Sequence, residues 1–185
     1  MGWKSYFSQQ IKPDESEQYY PARIAQIYRS RCIVWSNKAT KSFEIGVFSE
    51  PKNLAVGDWM LIPIEGERPL RILNRETVLI RKAAGKRIHD QIIAANVDTL
   101  FIVTSCDQDF NTSRIERYLS LANEAKINPV IVLTKTDLSA DIEPIKQSAI
   151  SLQNNLRIEC VNAKDHASLA TLKTLCAEGH TIVLV

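Results

Sequence analysis

No apolar run in these 185 residues approaches the roughly 20 that a helix needs to cross a bilayer. The opening Met1-Gly-Trp-Lys-Ser-Tyr-Phe7 lacks the apolar core of a signal peptide. The four cysteines, Cys32, Cys106, Cys160 and Cys176, form no C-x-x-C pair, and three of them sit among apolar neighbours. They read as small buried hydrophobes in a reducing cytoplasm rather than as disulfides or metal ligands. His89, His166 and His180 are too far apart for a histidine zinc site. Asp107 and Asp109 complete no EF-hand loop and read as the dressing of a strand–helix turn. No Ser–His–Asp or Cys–His arrangement has local support, and no internal repeat or low-complexity tract occurs. Nothing matches the phosphate-loop pattern G-x-x-x-x-G-K-[ST]. The expectation is a cytoplasmic protein with no membrane partner and no metal ligands in this chain.

The composition, 45% hydrophobic and 24% charged, is that of a globular protein with material for real cores. Its net charge of +2 conceals an asymmetry. Residues 1–94 carry 15 Lys/Arg against 10 Asp/Glu, while residues 95–185 carry 8 against 11. Between positions 68 and 87, Arg68, Arg71, Arg75, Arg81, Lys82, Lys86 and Arg87 face only Glu76. Such a cluster is either the footprint of a polyanionic partner or a solvated connector, and charge alone does not choose between them.

The pattern changes along the chain. Residues 1–18 are polar with scattered aromatics and read as a mobile tail. Over 19–75, five short strands punctuated by Asn37-Lys38, Glu50-Pro51, Val56-Gly57 and Glu65-Gly66 suit a small five-stranded Greek-key barrel, of which the OB-fold is the common form. Such barrels present basic and aromatic residues to nucleic acid, here Arg23, Tyr28, Arg29, Arg31, Trp35, Lys38 and Lys41 as candidates. Trp35 and Trp59 are both expected in the barrel core. Residues 76–95 read as a basic connector. From residue 96 strands alternate with helices, which implies right-handed βαβ units. Val97–Ser105, Val130–Thr134, Arg157–Val161 and Thr181–Val185 read as strands, and Ser113-Arg-Ile-Glu116 as a capping box. The predicted fold class is thus β plus α/β.

Two strand ends in this second part carry chemistry. The apolar run Pro129–Leu133 leads into Thr134-Lys135-Thr136-Asp137, the pattern with which guanine-nucleotide-binding proteins read the base. Asp137 would accept from the N1 and N2 donors of guanine, an arrangement adenine does not present. A wrong base would leave a desolvated carboxylate without partners. Lys135 would lay its aliphatic stem along the purine face. The next strand ends in Asn162-Ala163-Lys164, close to the Ser-Ala-Lys loop in which the Ala N–H donates to guanine O6. Ligands bind at such carboxyl ends of strands in open α/β sheets.

With base readers present and no phosphate loop upstream, the order resembles that of a circularly permuted GTPase. The chain resembles the bacterial small-ribosomal-subunit-dependent GTPases, the RsgA or YjeQ family. Carrying the resemblance are Val56-Gly-Asp-Trp59, Asn74-Arg-Glu-Thr-Val-Leu-Ile-Arg81, Gln91-Ile-Ile-Ala-Ala-Asn-Val-Asp98, Arg117-Tyr-Leu119 and Val130 through Leu138. It departs from the usual pattern at Thr134, where Asn is customary, and at Asn162, where Ser is. A Thr hydroxyl can bond nearby backbone but lacks the donor–acceptor pair of an amide.

The resemblance implies an OB-fold that docks on ribosomal RNA and a permuted GTPase domain of which 96–185 is the first part. It assigns guanine binding to Thr134, Lys135, Asp137, Asn162, Ala163 and Lys164. It moves the basic residues Arg29, Arg31, Lys38, Arg81, Lys82, Lys86 and Arg87 toward RNA binding. It also implies GTP or GDP with magnesium in the full-length protein, zinc only in a further C-terminal domain, a monomer, and hydrolysis stimulated by the small subunit. On this reading the chain is an N-terminal fragment, inactive without the phosphate loop and magnesium ligands. The alternative is a non-catalytic RNA-binding module with a degenerate α/β scaffold.

Overall fold

In the computed structural model the chain divides into two compact units, Met1–Asn96 and Val97–Val185. The structure describes residues 1–48, 53–66, 68–82 and 90–185, with the backbone alone at 82 and 90.

The first unit is built on an antiparallel sheet of β1 (Tyr19–Ile27), β2 (Arg31–Trp35), β3 (Thr40–Glu44), β4 (Trp59–Pro63) and β5 (Arg71–Ile72). Their order is β3-β2-β1-β4-β5, so the long β1 lies in the middle. Its first half pairs with β4, its second half with β2, and a register shift between Ile24 and Gln26 marks a bulge. Alternation along the strands sends Ala22, Ile24, Cys32, Val34, Phe43, Met60 and Ile62 into one core.

β4 is buried along its whole length, because Trp59 and Leu61 on its opposite face are also covered. The cover comes from the N-terminus. Helix α1 (Ser5–Ser8) places Phe7 against Trp59, Leu61 and Leu73, with Ile11 alongside. Trp3 meets Trp59 edge-on at a centroid distance of 4.7 Å. Burying a phenylalanine stabilises a fold by about 1.5–3 kcal/mol, so the first residues are not a mobile tail. Helix α2 (Pro13–Gln18) adds an ion pair to β5 through Glu15 and Arg71. Expected core positions also divide: Trp59 is 2% exposed, whereas Trp35 is 53% exposed on the outer face of β2.

Val56-Gly-Asp-Trp59 has a tight local geometry. Gly57 has φ +96°, and a Cβ there would meet the Ala95 carbonyl oxygen at 2.1 Å, so both conformation and space require glycine. Asp58 is fully buried and takes both arms of Arg75, at 2.6 and 2.8 Å, while the Ala55 N–H donates to it at 2.8 Å. Removing one partner of such a buried pair costs about 3–5 kcal/mol.

The expected connector over 76–95 carries an antiparallel pair, β6 (Val78–Lys82) and β7 (Asp90–Ala95). Its end is fastened to the rest of the unit. The Ala95 N–H donates to the Val56 carbonyl at 2.9 Å, and Asn96 Nδ2 donates to the Gly57 carbonyl at 3.0 Å.

The second unit is a parallel sheet of β8 (Thr99–Ser105), β9 (Asn128–Thr134), β10 (Arg157–Cys160) and β11 (Ile182–Leu184), in the order β10-β9-β8-β11. Helix α3 (Thr112–Glu124) packs against β8 and β9 through buried Ile115, Leu119 and Ala122. Its cap is Asn111, whose Oδ1 accepts from the Arg114 N–H at 2.9 Å, in place of the expected Ser113–Glu116 box. Helix α4 (Glu143–Ile150) contacts β10. Helix α5 (Ala170–Leu175) covers Phe101, Val130, Val132 and Val161 with Leu172 and Leu175. After β10 the chain returns to the far side of β8, so the order reverses between β8 and β11. Ligands bind outside the carboxyl ends of strands at such a reversal.

The Glu15–Arg71 pair yields a pH prediction. Hydrogen bonds from the Arg71 guanidinium, then from the Lys12 N–H, hold the Glu15 carboxyl down at about 2. A carboxyl lowered in the folded state stabilises it above the ordinary value of 4.5, and that contribution is lost as pH falls toward about 2. Glu15→Gln should therefore be less stable than the parent at neutral pH in urea unfolding, and the gap should close between about pH 5 and pH 2. A gap that stays constant would contradict the linkage.

Candidate functional site

The residues that sequence analysis assigns to guanine lie on two loops at one edge of the parallel sheet. β9 runs buried from Val130 to Leu133 and emerges at Thr134. The Thr134 hydroxyl donates to the Thr104 carbonyl on β8 at 3.2 Å, and the Cys106 N–H donates to the Thr134 carbonyl at 2.9 Å. The Thr side chain is therefore spent on holding the ends of two strands together. Lys135 follows in the left-handed conformation, with φ 57° and ψ 35°. This is an uncommon backbone for lysine that only surrounding structure can maintain. A single 3-10 turn, Thr136–Leu138, then presents Asp137. Its carboxylate is exposed and takes no hydrogen bond or ion pair among the described residues.

The second loop leaves β10, which pairs with β9 in the same direction. The Val161 N–H donates to the Leu133 carbonyl at 2.8 Å and extends that pairing by one residue. Asn162 donates its N–H to Ser168 Oγ at 2.7 Å, and its Oδ1 accepts from the Lys164 N–H at 3.0 Å. That side chain thus folds an Asx turn around Ala163. Ala163 and Lys164 are exposed, and the Ala163 N–H has no partner among the described residues.

A third element reaches the same edge. Asp107, two residues beyond β8, pairs its Oδ2 with Lys135 Nζ at 2.8 Å, and its Oδ1 accepts from Ser105 Oγ at 2.5 Å. The Lys135 bond first, then those from Ser105 and the Asp109 N–H, holds the Asp107 carboxyl well below the ordinary carboxylate range. The same pair raises Lys135 above the usual lysine value. Asp107 dresses the strand–helix turn as expected, through Ser105 and Asp109, and from its place at the end of the neighbouring strand it also reaches Lys135, which was not expected.

Among the described residues, the basic side chains assigned to RNA do not form one cluster. Arg29 and Arg31 stand at one end of β2, where the Arg31 guanidinium lies 5.2 Å from the centre of the exposed Tyr28 ring. Lys38 stands past the other end, its ammonium 4.6 Å from the Tyr20 ring centre. Arg81 lies on the hairpin and donates to Gln91 across it at 3.1 Å. The side chain of Lys82, and Lys86 and Arg87 altogether, lie outside the described residues. Arg23 is withdrawn from the candidates, since it donates to the carbonyls of Met1, Gly57 and Asn96 at 2.7, 3.1 and 3.0 Å. Arg71 and Arg75 are likewise matched by Glu15 and Asp58, so the basic stretch is partly neutralised within its own unit.

Among the described residues no group of three or more His, Cys, Asp or Glu side chains could hold a metal ion, and no helix is long and apolar enough to cross a membrane. All four cysteines are free, with Cys32 and Cys106 buried but Cys176 exposed.

A parallel sheet whose strand order reverses, with an open carboxylate and an unpartnered N–H on neighbouring loops, is an open α/β fold of the kind that takes ligands at its carboxyl ends. Comparison makes the class specific. The family model described as RsgA GTPase matches residues 72–185. The chain is 43% identical, over its whole length, to the Small ribosomal subunit biogenesis GTPase RsgA 2 of Vibrio vulnificus, of which it covers 52%. It is 39% identical, again over its whole length, to the Small ribosomal subunit biogenesis GTPase RsgA of Mesorhizobium japonicum, covering 53%. The crystal structure of YloQ, a circularly permuted GTPase, superposes with a TM-score of 0.65 at 26% identity, over 90% of this chain and 59% of that one. YjeQ from Thermotoga maritima shares the fold, with a TM-score of 0.65 at 18% identity over 90% of this chain and 60% of that one. The chain belongs to the RsgA GTPase family. It spans about half the length of the curated relatives it matches.

Proposed function

We propose that the whole protein is a guanine-nucleotide hydrolase of small-ribosomal-subunit maturation, and that this chain supplies its base readers and its RNA-docking unit. The observation that carries the reading is the pair of unspent groups on adjacent strand ends, the Asp137 carboxylate and the Ala163 N–H. Guanine presents the complement, two donors at N1 and N2 and an acceptor at O6. Lys135 supplies the stem for the purine face, and Lys164 a cation beside the same loop. Thr134 and Asn162 act as scaffold, since the Thr134 hydroxyl and Asn162 Oδ1 are bonded to neighbouring backbone.

The first unit is read as an OB-type barrel that docks on ribosomal RNA. Five antiparallel strands with a long, bulged β1 in the middle support this, as do Arg31, which lies over Tyr28, and Trp35 at the other end of β2, both exposed. Contacts of this kind go mainly to phosphates and weaken with salt. GTP and GDP are the expected ligands. Magnesium would accompany the nucleotide in the full-length protein; among the described residues no group of three or more His, Cys, Asp or Glu side chains could hold a metal ion. The protein is expected to work in the cytoplasm as a monomer. One observation favours the non-catalytic RNA-binding reading instead: the Thr134 hydroxyl spends its single proton on the Thr104 carbonyl, and Asn162 Oδ1 is engaged by the Lys164 N–H.

Hydrolysis by the full-length protein separates the two. With purified small ribosomal subunits, GTP turnover should rise well above that of the protein alone, and ATP turnover should not. Subunit binding without any GTP turnover would leave the non-catalytic reading standing. The base assignment has its own test in Asp137→Asn. Loss of hydrogen bonds to a charged group is worth roughly 1.5–3 kcal/mol, so GTP affinity should fall about ten- to a hundredfold. XTP, whose 2-oxo group accepts where guanine donates, should become the better ligand. Unchanged GTP affinity in equilibrium titration would contradict the role of Asp137.

A further inference from the structure

Asp107 divides its two oxygens between two tasks. Oδ1 takes the Ser105 hydroxyl at 2.5 Å and the Asp109 N–H at 3.0 Å, bonds that shape the turn after β8. Oδ2 is left for Lys135 Nζ at 2.8 Å. Ser105 is 7% exposed, so the carboxylate is fixed from the protein side, whereas the Lys135 side chain is 49% exposed. The pair therefore spans two loops, with its rigid end on β8 and its long side chain reaching over from the end of β9. The backbone of Lys135 is fixed as well, held left-handed at φ 57° with its carbonyl accepting from the Leu138 N–H at 3.0 Å. With root and tip both tethered, only the four-carbon stem between them remains to be ordered, and its flank is open.

We propose that Asp107 is a positioning residue for guanine recognition: by gripping the Lys135 ammonium at the β8 side of the sheet, it lays out the lysine stem as a platform for the purine before nucleotide arrives. The inference rests on the guanine reading above. A free lysine of this length loses most of its rotamer freedom when a ligand orders it, and a side chain ordered beforehand spares the complex that loss. The grip engages the ammonium and leaves the apolar stem uncovered, which suits a residue that contacts a ring face with its methylenes. It also directs the ammonium toward β8, whose other neighbour is β11, and so toward the reversal point of the sheet.

The division of the two oxygens gives a clean variant. In Asp107→Asn the amide oxygen still accepts from Ser105 and Asp109, so the turn is kept, while an NH2 group replaces the acceptor facing Lys135. The experiment measures equilibrium binding of fluorescent GDP to the full-length protein, with ADP as competitor. It compares the parent, Asp107→Asn, Lys135→Met and the double variant. Partly exposed ion pairs are modest, so Asp107→Asn should weaken GDP binding roughly two- to fivefold. In the Lys135→Met background it should weaken binding no further, because the platform it acts through lacks its charged tip. Equal affinity of parent and Asp107→Asn, an undiminished effect in the Lys135→Met background, or tighter binding by Asp107→Asn would each overturn the inference. Tighter binding would mean that the pair competes with nucleotide. If the parent itself fails to prefer GDP over ADP, the guanine reading fails, and the inference with it.

Discussion

Parallel pairing of β9 with both of its neighbours is the constraint on which the candidate site depends. Because β8, β9 and β10 run in one direction, each delivers its following loop to the same edge of the sheet. An antiparallel β10 would send Asn162–Lys164 to the opposite edge from Asp137. Backbone bonds continue the pairing past the strand ends, from Cys106 to Thr134 and from Val161 to Leu133, so the loops start from fixed positions. The Thr134 hydroxyl, bonded to the Thr104 carbonyl, reinforces the same edge. Apolar burial of β9 from Val130 to Leu133 holds this arrangement against solvent.

The first unit follows a different logic, in which charge is consumed internally. Asp58 is buried and matched by Arg75, Glu15 is matched by Arg71, and Arg23 closes on three backbone carbonyls. Such pairs leave the unit's net surplus unchanged but take Arg71 and Arg75 out of the run of cations at 68–87. Among the described residues, exposed cations such as Arg29, Lys38 and Arg81 stand beside aromatic surface: Arg31 on Tyr28, and Trp35 on the open face of β2. Such a surface suits stacking as much as phosphate attraction.

Periodicity and local turn chemistry made much of the fold legible in advance. The apolar runs of β8 and β9, the helical spacing of Ile115, Leu119 and Ala122, and the strand ends ahead of Lys135 and Asn162 are each local patterns, set by residues near one another in the chain. What escaped depends on partners far apart in the chain. Phe7 looks like a polar tail's stray aromatic until Trp59 needs covering. Arg75 looks like one of seven cations until Asp58, 17 residues away, is seen buried beneath it. Trp35 falls on the outer face because Cys32 and Val34 take the inner positions of the same strand. Asp107 and Lys135 are 28 residues apart, and only the adjacency of β8 and β9 brings them together. Asn111 captured the helix cap from Ser113 because its side chain reaches the free Arg114 N–H two residues earlier than expected.

In the proposed function the β9 and β10 loops read guanine. A structure of the full-length protein bound to GDP tests it most directly. The expected result has the Asp137 carboxylate within about 3 Å of guanine N1 and N2, the Ala163 nitrogen at a similar distance from O6, and the Lys135 stem along the ring face. A base bound away from this edge, or Asp137 still facing open solvent with the nucleotide in place, would contradict it.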